Sequence, residues 1–261
     1  MHLAKQGYLV FAGVRKEEYA QPLRDLGQGM LIPICPLDVR SPAHIAAAKQ
    51  IMEQELLRRG IPGLYAIISN AGGGFIAPIE LMDMEKMKAE VDTRIMGPIA
   101  LLQAMLPLIR AGGGRLIWIQ TPGLMPIAFD TSIHACDFAS NCLARTLRQE
   151  LKPWNIPSVQ IRCGGIRTPS VQHSYDELNE NLHKWSAAGP CLYADALRKT
   201  ERGFKEFDRR RSGPELVAKT VEKALCAKQP RRRYQIGYMS KIFAFMECLP
   251  QPLTDWMMER R

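Results

Sequence analysis

One α/β domain with a mostly parallel sheet covered by helices is the fold class these 261 residues predict, on three observations. Short β-branched apolar runs alternate along the chain with longer segments of helical period, the pattern of parallel strands joined by crossover helices. The clearest unit is Gly114 to Leu151: an apolar run at Arg115–Gln120, a loop holding Pro122, Gly123 and Pro126, and a helix with Phe138, Leu143 and Leu147 at helical spacing. Finally, 46% of the residues are apolar, enough to bury one large core, whereas two domains would each be small.

Taken in order, Met1–Gly7 reads as the tail of a helix, with Leu3 and Ala4 inward and Gly7 as C-cap. Tyr8–Val14 is a buried strand, with Arg15 and Lys16 just beyond it. Met30–Val39 is the next strand and carries Asp38. Ser41 caps a helix from 42 to 59 whose inner face holds Ile45, Ile51, Met52, Leu56 and Leu57. Leu64–Ser69 is a strand that runs into Asn70-Ala71-Gly72-Gly73-Gly74. Helices follow at Glu80–Met87 and Val91–Arg110, the second apolar at Ile95, Ile99, Leu102, Met105, Leu106 and Ile109.

After Gly114–Leu151 comes the strand Ile156–Cys163, and Thr168 before Pro169 is a helix-start signal. The stretch 170–211 forms a variable lobe, amphipathic through Leu178, Leu182, Trp185, Leu192, Tyr193, Leu197, Phe204 and Phe207. A helix at Pro214–Ala227, a last strand at Arg233–Gly237 and an amphipathic tail over 238–261, with Ile242, Phe243, Phe245, Met246, Leu249, Leu253 and Trp256, complete the chain.

Net charge is +9, much of it in Arg198–Arg211 and Arg231–Arg233. With no nucleic-acid-binding motif beside them, these runs read as a solvated face, and no nucleic-acid partner is expected. No run of eighteen apolar residues and no signal peptide is present. The seven cysteines contain no Cys-x-x-Cys pair and no His partner at ligand spacing, so no metal site is expected. Reduced thiols fit an intracellular protein, cytoplasmic or peripheral on an internal membrane.

The order and lengths of these elements, together with Asn70-Ala71-Gly72, Gly164-Gly165-Ile166-Arg167-Thr168-Pro169 and the tail, resemble the short-chain dehydrogenases/reductases. The resemblance implies a Rossmann-like three-layer α/β/α sandwich. It also implies that the family's first strand and glycine-rich phosphate loop would precede Tyr8, where the chain starts too late to contain them. In that family a Ser closes the strand, a Tyr follows thirteen residues later, a Lys one helical turn after it, and an Asn lies on the preceding long helix. Here Gln120, Ile133, Asp137 and Arg94 occupy those four positions. Within the family, 93–99, 120–122 and 256–258 look most similar to an uncharacterised fungal group, and the tail looks like that of hydroxysteroid and retinol dehydrogenases.

The substitutions are chemically large. The family's Tyr gives up a proton because a neighbouring ammonium favours its anion; Ile133 has no proton to give, and Asp137 reverses the sign of that charge. An Arg94–Asp137 ion pair is expected to fill the emptied site. Weak acid/base candidates are His134, which shares a helix face with Asp137, and Thr121.

By resemblance, Arg15 would meet the 2′-phosphate of NADP, Asp38 the adenine, Asn70, Ala71 and Gly72 the cofactor's approach, and Thr168 the nicotinamide carboxamide. A solvated strand end, a strand tie and a helix start explain the same residues without cofactor. The expectation is a degenerate member that binds no cofactor and serves a lipophilic ligand or partner. The alternative is an NADP(H)-dependent oxidoreductase acting on a lipophilic alcohol or carbonyl. A homodimer through helices 91–110 and 132–151 and peripheral membrane contact by the tail are expected with either.

Overall fold

The computed structural model describes residues 1–27, 29–187 and 191–259. In chain order these form α1 His2–Lys5, β1 Val10–Gly13, α2 Glu17–Gly27, β2 Leu31–Ile34, α3 Pro42–Arg58, β3 Ala66–Ser69, α4 Met84–Val91, α5 Gly97–Ala111, β4 Arg115–Gln120 and α6 Thr131–Glu150. They continue with β5 Ser158–Cys163, α7 Pro169–Trp185, α8 Ala194–Asp208, α9 Glu215–Cys226, β6 Arg233–Ile236, α10 Ser240–Met246 and α11 Gln251–Glu259. Positions 188–190 of the variable lobe and 260–261 of the tail lie outside the described residues.

All strand pairs are parallel, as short strands joined by helical crossovers require. They divide into two sheets, β1-β2 and β3-β4-β5-β6. The two faces of the larger sheet differ by the alternation of its strands. Leu116 and Trp118 pack with α3, α5 and α6 through Met52, Leu102 and Ala144. Ile117, Val159 and Ile161 face α9 through Val221, Ala224 and Leu225. Helices thus cover both faces, giving the three-layer architecture. Between β1 and β3 lies a slot of about 370 Å³, lined by apolar side chains of both strands and of α5.

Several boundaries differ from the sequence expectation. The helix expected at 80–87 is a 3-10 turn, Ile79–Leu81, followed by α4 with Asp83 as N-cap, its carboxylate accepting from the Glu85 and Lys86 N–H groups. The helix expected at 91–110 opens with a π-helical turn at Asp92–Met96 before α5. On α3 the buried face is Ile45, Ala48, Met52 and Leu56, while Ile51 is exposed and Leu57 is 83% exposed, because the buried arc is narrower than the apolar one. Phe138 on α6 and Leu192 before α8 are likewise exposed. The strand expected to run to Val39 ends at Ile34, leaving Asp38 in the turn before α3.

The lobe forms its own apolar cluster of Tyr175, Leu178, Leu182 and Leu197 against Ile76. The tail splits into two helices. Phe243 and Met246 of α10 close over Met125 of the loop after β4. The run Met84–Ala111 is long and apolar enough to cross a membrane by length and composition, and its Leu102, Met105 and Ile109 belong to the buried core.

Candidate functional site

In open parallel sheets of this kind, ligands bind beyond the carboxyl ends of the strands. Here that region is bounded by the 70–74 loop after β3, the end of β4, the π turn and the start of α6. The α6 side chains at 137, 140, 141 and 144 are buried, which is the i, i+3, i+4, i+7 row facing the sheet. Opposite them β5 presents Ser158, Gln160 and Arg162, all buried. The interface is therefore a polar seam.

Gln120 is fixed within that seam. Its Nε2 donates to Ser140 Oγ at 2.8 Å, and its Oε1 accepts from Gln160 Nε2 at 2.9 Å, which also donates to Asn141 Oδ1 at 2.8 Å. Trp118 Nε1 donates to Ser158 Oγ, which donates to the Ala144 carbonyl. These bonds tie the two glutamine amides to α6 and to each other.

Asp137, 2% exposed, lies one turn nearer the strand end. Its Oδ1 accepts from Arg94 Nη2 at 2.5 Å and its Oδ2 from the Thr121 main-chain N–H at 2.7 Å. The π turn carries Arg94 across the 70–74 loop, where Nη1 donates to the Gly73 carbonyl at 3.4 Å. Gly72 has φ +153°, and a Cβ there would stand 2.6 Å from Arg94 Nη1. The ion pair thus presses on the glycine loop. Ile133 does the same further along: a Cβ at Gly74 would meet its Cγ1 at 2.1 Å. Ser132 fastens the two segments, accepting from the Phe75 N–H at 2.9 Å and donating to the Phe75 carbonyl at 2.8 Å.

The hollow remaining between Asn70, Arg94, Gln120 and Asp137 is about 30 Å³, roughly the share of one water molecule. His134 is buried, but its partner is Asp130, with Nε2 3.5 Å from Oδ2, and not Asp137, whose oxygens belong to Arg94 and Thr121. His134 Nδ1 and Thr121 Oγ1 are buried without a hydrogen-bond partner. Burial pushes the thiols of Cys136 and Cys163 up, the latter to about 12, so neither supplies a thiolate.

The other positions singled out from the sequence do not converge. Asp38 is held bidentately by Arg40, with Nη2 to Oδ2 at 2.6 Å and Nε to Oδ1 at 3.0 Å. That guanidinium, with Arg40's main-chain N–H and the charge of Arg15 adding, holds the Asp38 carboxyl down at about 2. Arg15 is exposed past β1, and Asn70 and Ala71 are exposed on their loop. Thr168 is the N-cap of α7 in extended conformation, without a side-chain capping bond.

Sequence reasoning missed Arg162, which is 0% exposed. Its Nη1 donates to the Thr121 carbonyl at 3.3 Å, and Nη2 stands 3.6 Å from Glu247, the C-cap of α10. Burial lowers the pKa of this guanidinium. The signal was present: an Arg among Val159, Ile161 and Cys163 in a central strand has no solvated face to reach.

The family model described as short chain dehydrogenase matches residues 1–179. The chain belongs to that family. Estradiol 17-beta-dehydrogenase 2 of Rattus norvegicus is 28% identical over 99% of this chain and 69% of its own length. Retinol dehydrogenase 5 of Mus musculus is 26% identical over 100% and 84%, and short-chain dehydrogenase PC-15 of Penicillium crustosum 31% over 66% and 61%. Both resemblances drawn from the sequence, to hydroxysteroid and retinol dehydrogenases and to fungal members, are met.

A short-chain dehydrogenase from Streptomyces avermitilis superimposes with TM-score 0.74 at 20% identity, covering 97% of this chain and 89% of that one. A serine dehydrogenase in complex with NADP+ gives 0.68 at 19%, covering 91% and 88%. These likenesses show the Rossmann-like fold. At the strand end of this chain a guanidinium and an aliphatic chain lie on the glycine loop, beside a hollow of about 30 Å³.

Proposed function

We propose that this chain is a degenerate short-chain dehydrogenase whose catalytic position has been converted to structure, and that it works as a binding or scaffolding protein for a lipophilic ligand or partner. The observation that carries the reading is the Arg94–Asp137 pair, closed by the Thr121 N–H, where family members keep an acid and an ammonium. Ile133 offers no proton, and the neighbouring Ser132 hydroxyl is engaged by the Phe75 main chain. The test is incubation with NADPH and lipophilic ketones or aldehydes. The expected result is no change in nicotinamide absorbance and no alcohol product; turnover above a no-protein control overturns the reading.

A second reading rests on one observation, the buried His134–Asp130 pair with its free Nδ1. It would make the protein an NADP(H)-dependent oxidoreductase for a lipophilic alcohol or carbonyl, as the names of its relatives suggest, and His134→Ala would then abolish turnover.

Two features support lipophilic and membrane contact. Ile242 and Phe245 of α10 and Leu253 of α11 are exposed, as are Lys241 and Arg231, an apolar and basic combination suited to a bilayer interface. Met96 and Phe138, exposed beside α5 and on α6, support a homodimer through those helices.

A further inference from the structure

The basic runs of this chain meet different fates in the fold. Within 198–211, Arg198 and Lys205 pair with Glu201, Arg209 with Glu206 and Arg211 with Asp208. The amino ends of β5 and β6, at the opposite end of the sheet from the closed crevice, present arginines without such partners. Arg233 is spent on Glu247, the C-cap of α10, at 2.7 Å, and Glu247 also stands 3.6 Å from Arg162. Among the described residues, the side chains of Arg145, Arg231 and Arg232 meet no carboxylate. Glu150, at the end of α6, lies two positions past Arg148 and so off its face.

Arg148 is the half-buried member of this group. Its Nε donates to the Ser158 carbonyl at 3.1 Å and its Nη2 to the Arg232 carbonyl at 3.4 Å, both neutral acceptors. Burial lowers the pKa of this guanidinium, and the charges of Arg232 and Arg145 lower it further. The neighbouring turn is fixed: the Arg232 carbonyl also accepts from the Gln160 N–H at 3.0 Å, and the Arg231 N–H donates to the Tyr234 hydroxyl at 3.2 Å. Like charges held together on a fixed backbone raise the free energy of the bare surface, and a bound anion removes that cost.

We infer that Arg148, Arg231 and Arg232 form a docking surface for an acidic segment of a partner protein, whose carboxylates supply the counter-charge these side chains lack among the described residues. Each guanidinium offers a planar fork that takes a carboxylate through two hydrogen bonds. Separate forks on α6 and on the turn before β6 require several carboxylates spaced along a chain. A half-buried guanidinium is within reach of a carboxylate on a side chain and out of reach of a flat bilayer leaflet. Nor do residues 228–232 carry a large apolar side chain to insert into one. The inference rests on the scaffolding reading and deepens it by naming the partner's chemistry, while its evidence is remote from the Arg94–Asp137 pair.

The test is fluorescence anisotropy of a labelled peptide with a Glu-Asp-Glu-Asp core flanked by glycines, against its Gln-Asn-Gln-Asn counterpart, on the full chain with no nicotinamide present. The expected result is saturable binding of the acidic peptide, with the amide peptide weaker by about tenfold or more. Arg231→Gln together with Arg232→Gln, whose side chains make no described hydrogen bond or ion pair, should weaken binding by about tenfold. Arg198→Gln together with Arg209→Gln removes the same charge from the paired run and should leave binding within about twofold. The comparison of the two peptides on the unaltered protein stands even if a variant fails to fold. No saturable binding of the acidic peptide would overturn the inference. Equal weakening by the two double variants would reduce the effect to net charge and overturn it too. So would binding of phosphatidylserine vesicles without peptide binding, or tighter binding of a single-stranded oligonucleotide than of the peptide. Self-association lost in the Arg231, Arg232 variant would make a second copy the occupant, with the same consequence. Loss of the inference leaves the closed catalytic position standing, and NADPH turnover would refute the latter without touching this surface.

Discussion

Two places where the sheet meets α5 and α6 have gone opposite ways. At the strand end, beneath α6, charged and amide side chains are packed until a water-sized hollow remains, with Asp137, Gln120 and Gln160 each held by partners on two elements. At the slot between β1 and β3, apolar side chains and open strand edges leave a cavity more than ten times larger. The difference teaches that the filling of a polar seam and the covering of a strand edge are settled separately within one sheet. A crevice filled by matched charges holds its side chains in fixed partnerships, whereas the apolar gap is bounded by strand edges with no second strand neighbour among the described residues.

The sharpest way to break this contrast is at the filled end. Asp137→Ala leaves Arg94 facing a buried, uncompensated pocket, and should lower stability by about 3 to 5 kcal/mol in urea unfolding. The double variant Arg94→Met, Asp137→Leu should cost less than the single one, because it removes both charges. If both variants cost the same, the pair is not what closes the crevice.

Next in size, Gly74→Ala places a Cβ against Ile133 at a φ of +131° and should cost about 1 to 3 kcal/mol by the same measurement. A smaller effect follows from pH. The Asp38 carboxyl is held at about 2 in the folded state, below its unfolded value of about 3.9. The Arg40 pair therefore contributes fully above pH ~4 and is lost as pH falls toward ~2. Its side chain is partly exposed, so the contribution is about 1 kcal/mol, and Asp38→Asn should flatten the acid limb by that amount. Smallest of all, Ile68→Lys on the open edge of β3 should change stability by no more than about 0.5 kcal/mol, since Ile68 is exposed. A large loss there would mean the slot is already part of the core.

Legibility from the sequence followed the same division. The Arg94–Asp137 contact was readable because strand, loop and helix keep fixed lengths and the two opposite charges have nowhere else to go. The seam of Ser158, Gln160 and Arg162 was not read, because the apolar residues alternating with them dominate the pattern of β5. His134 was placed with Asp137 by helical spacing, yet Asp130, one turn earlier, is its neighbour, since two other groups had taken the Asp137 oxygens. The π turn at Asp92–Met96 leaves no mark in apolar periodicity, although it sets where Arg94 lands. That two strand edges face each other across the slot is a property of the packed chain and has no mark in the sequence.

The claim that the crevice is closed to a nicotinamide is tested most directly by thermal unfolding in a titration with NADPH. The account predicts an unchanged midpoint at every concentration. A saturable rise, as the roughly 2.7 kcal/mol gained at a hundredfold excess over Kd would produce, would contradict it.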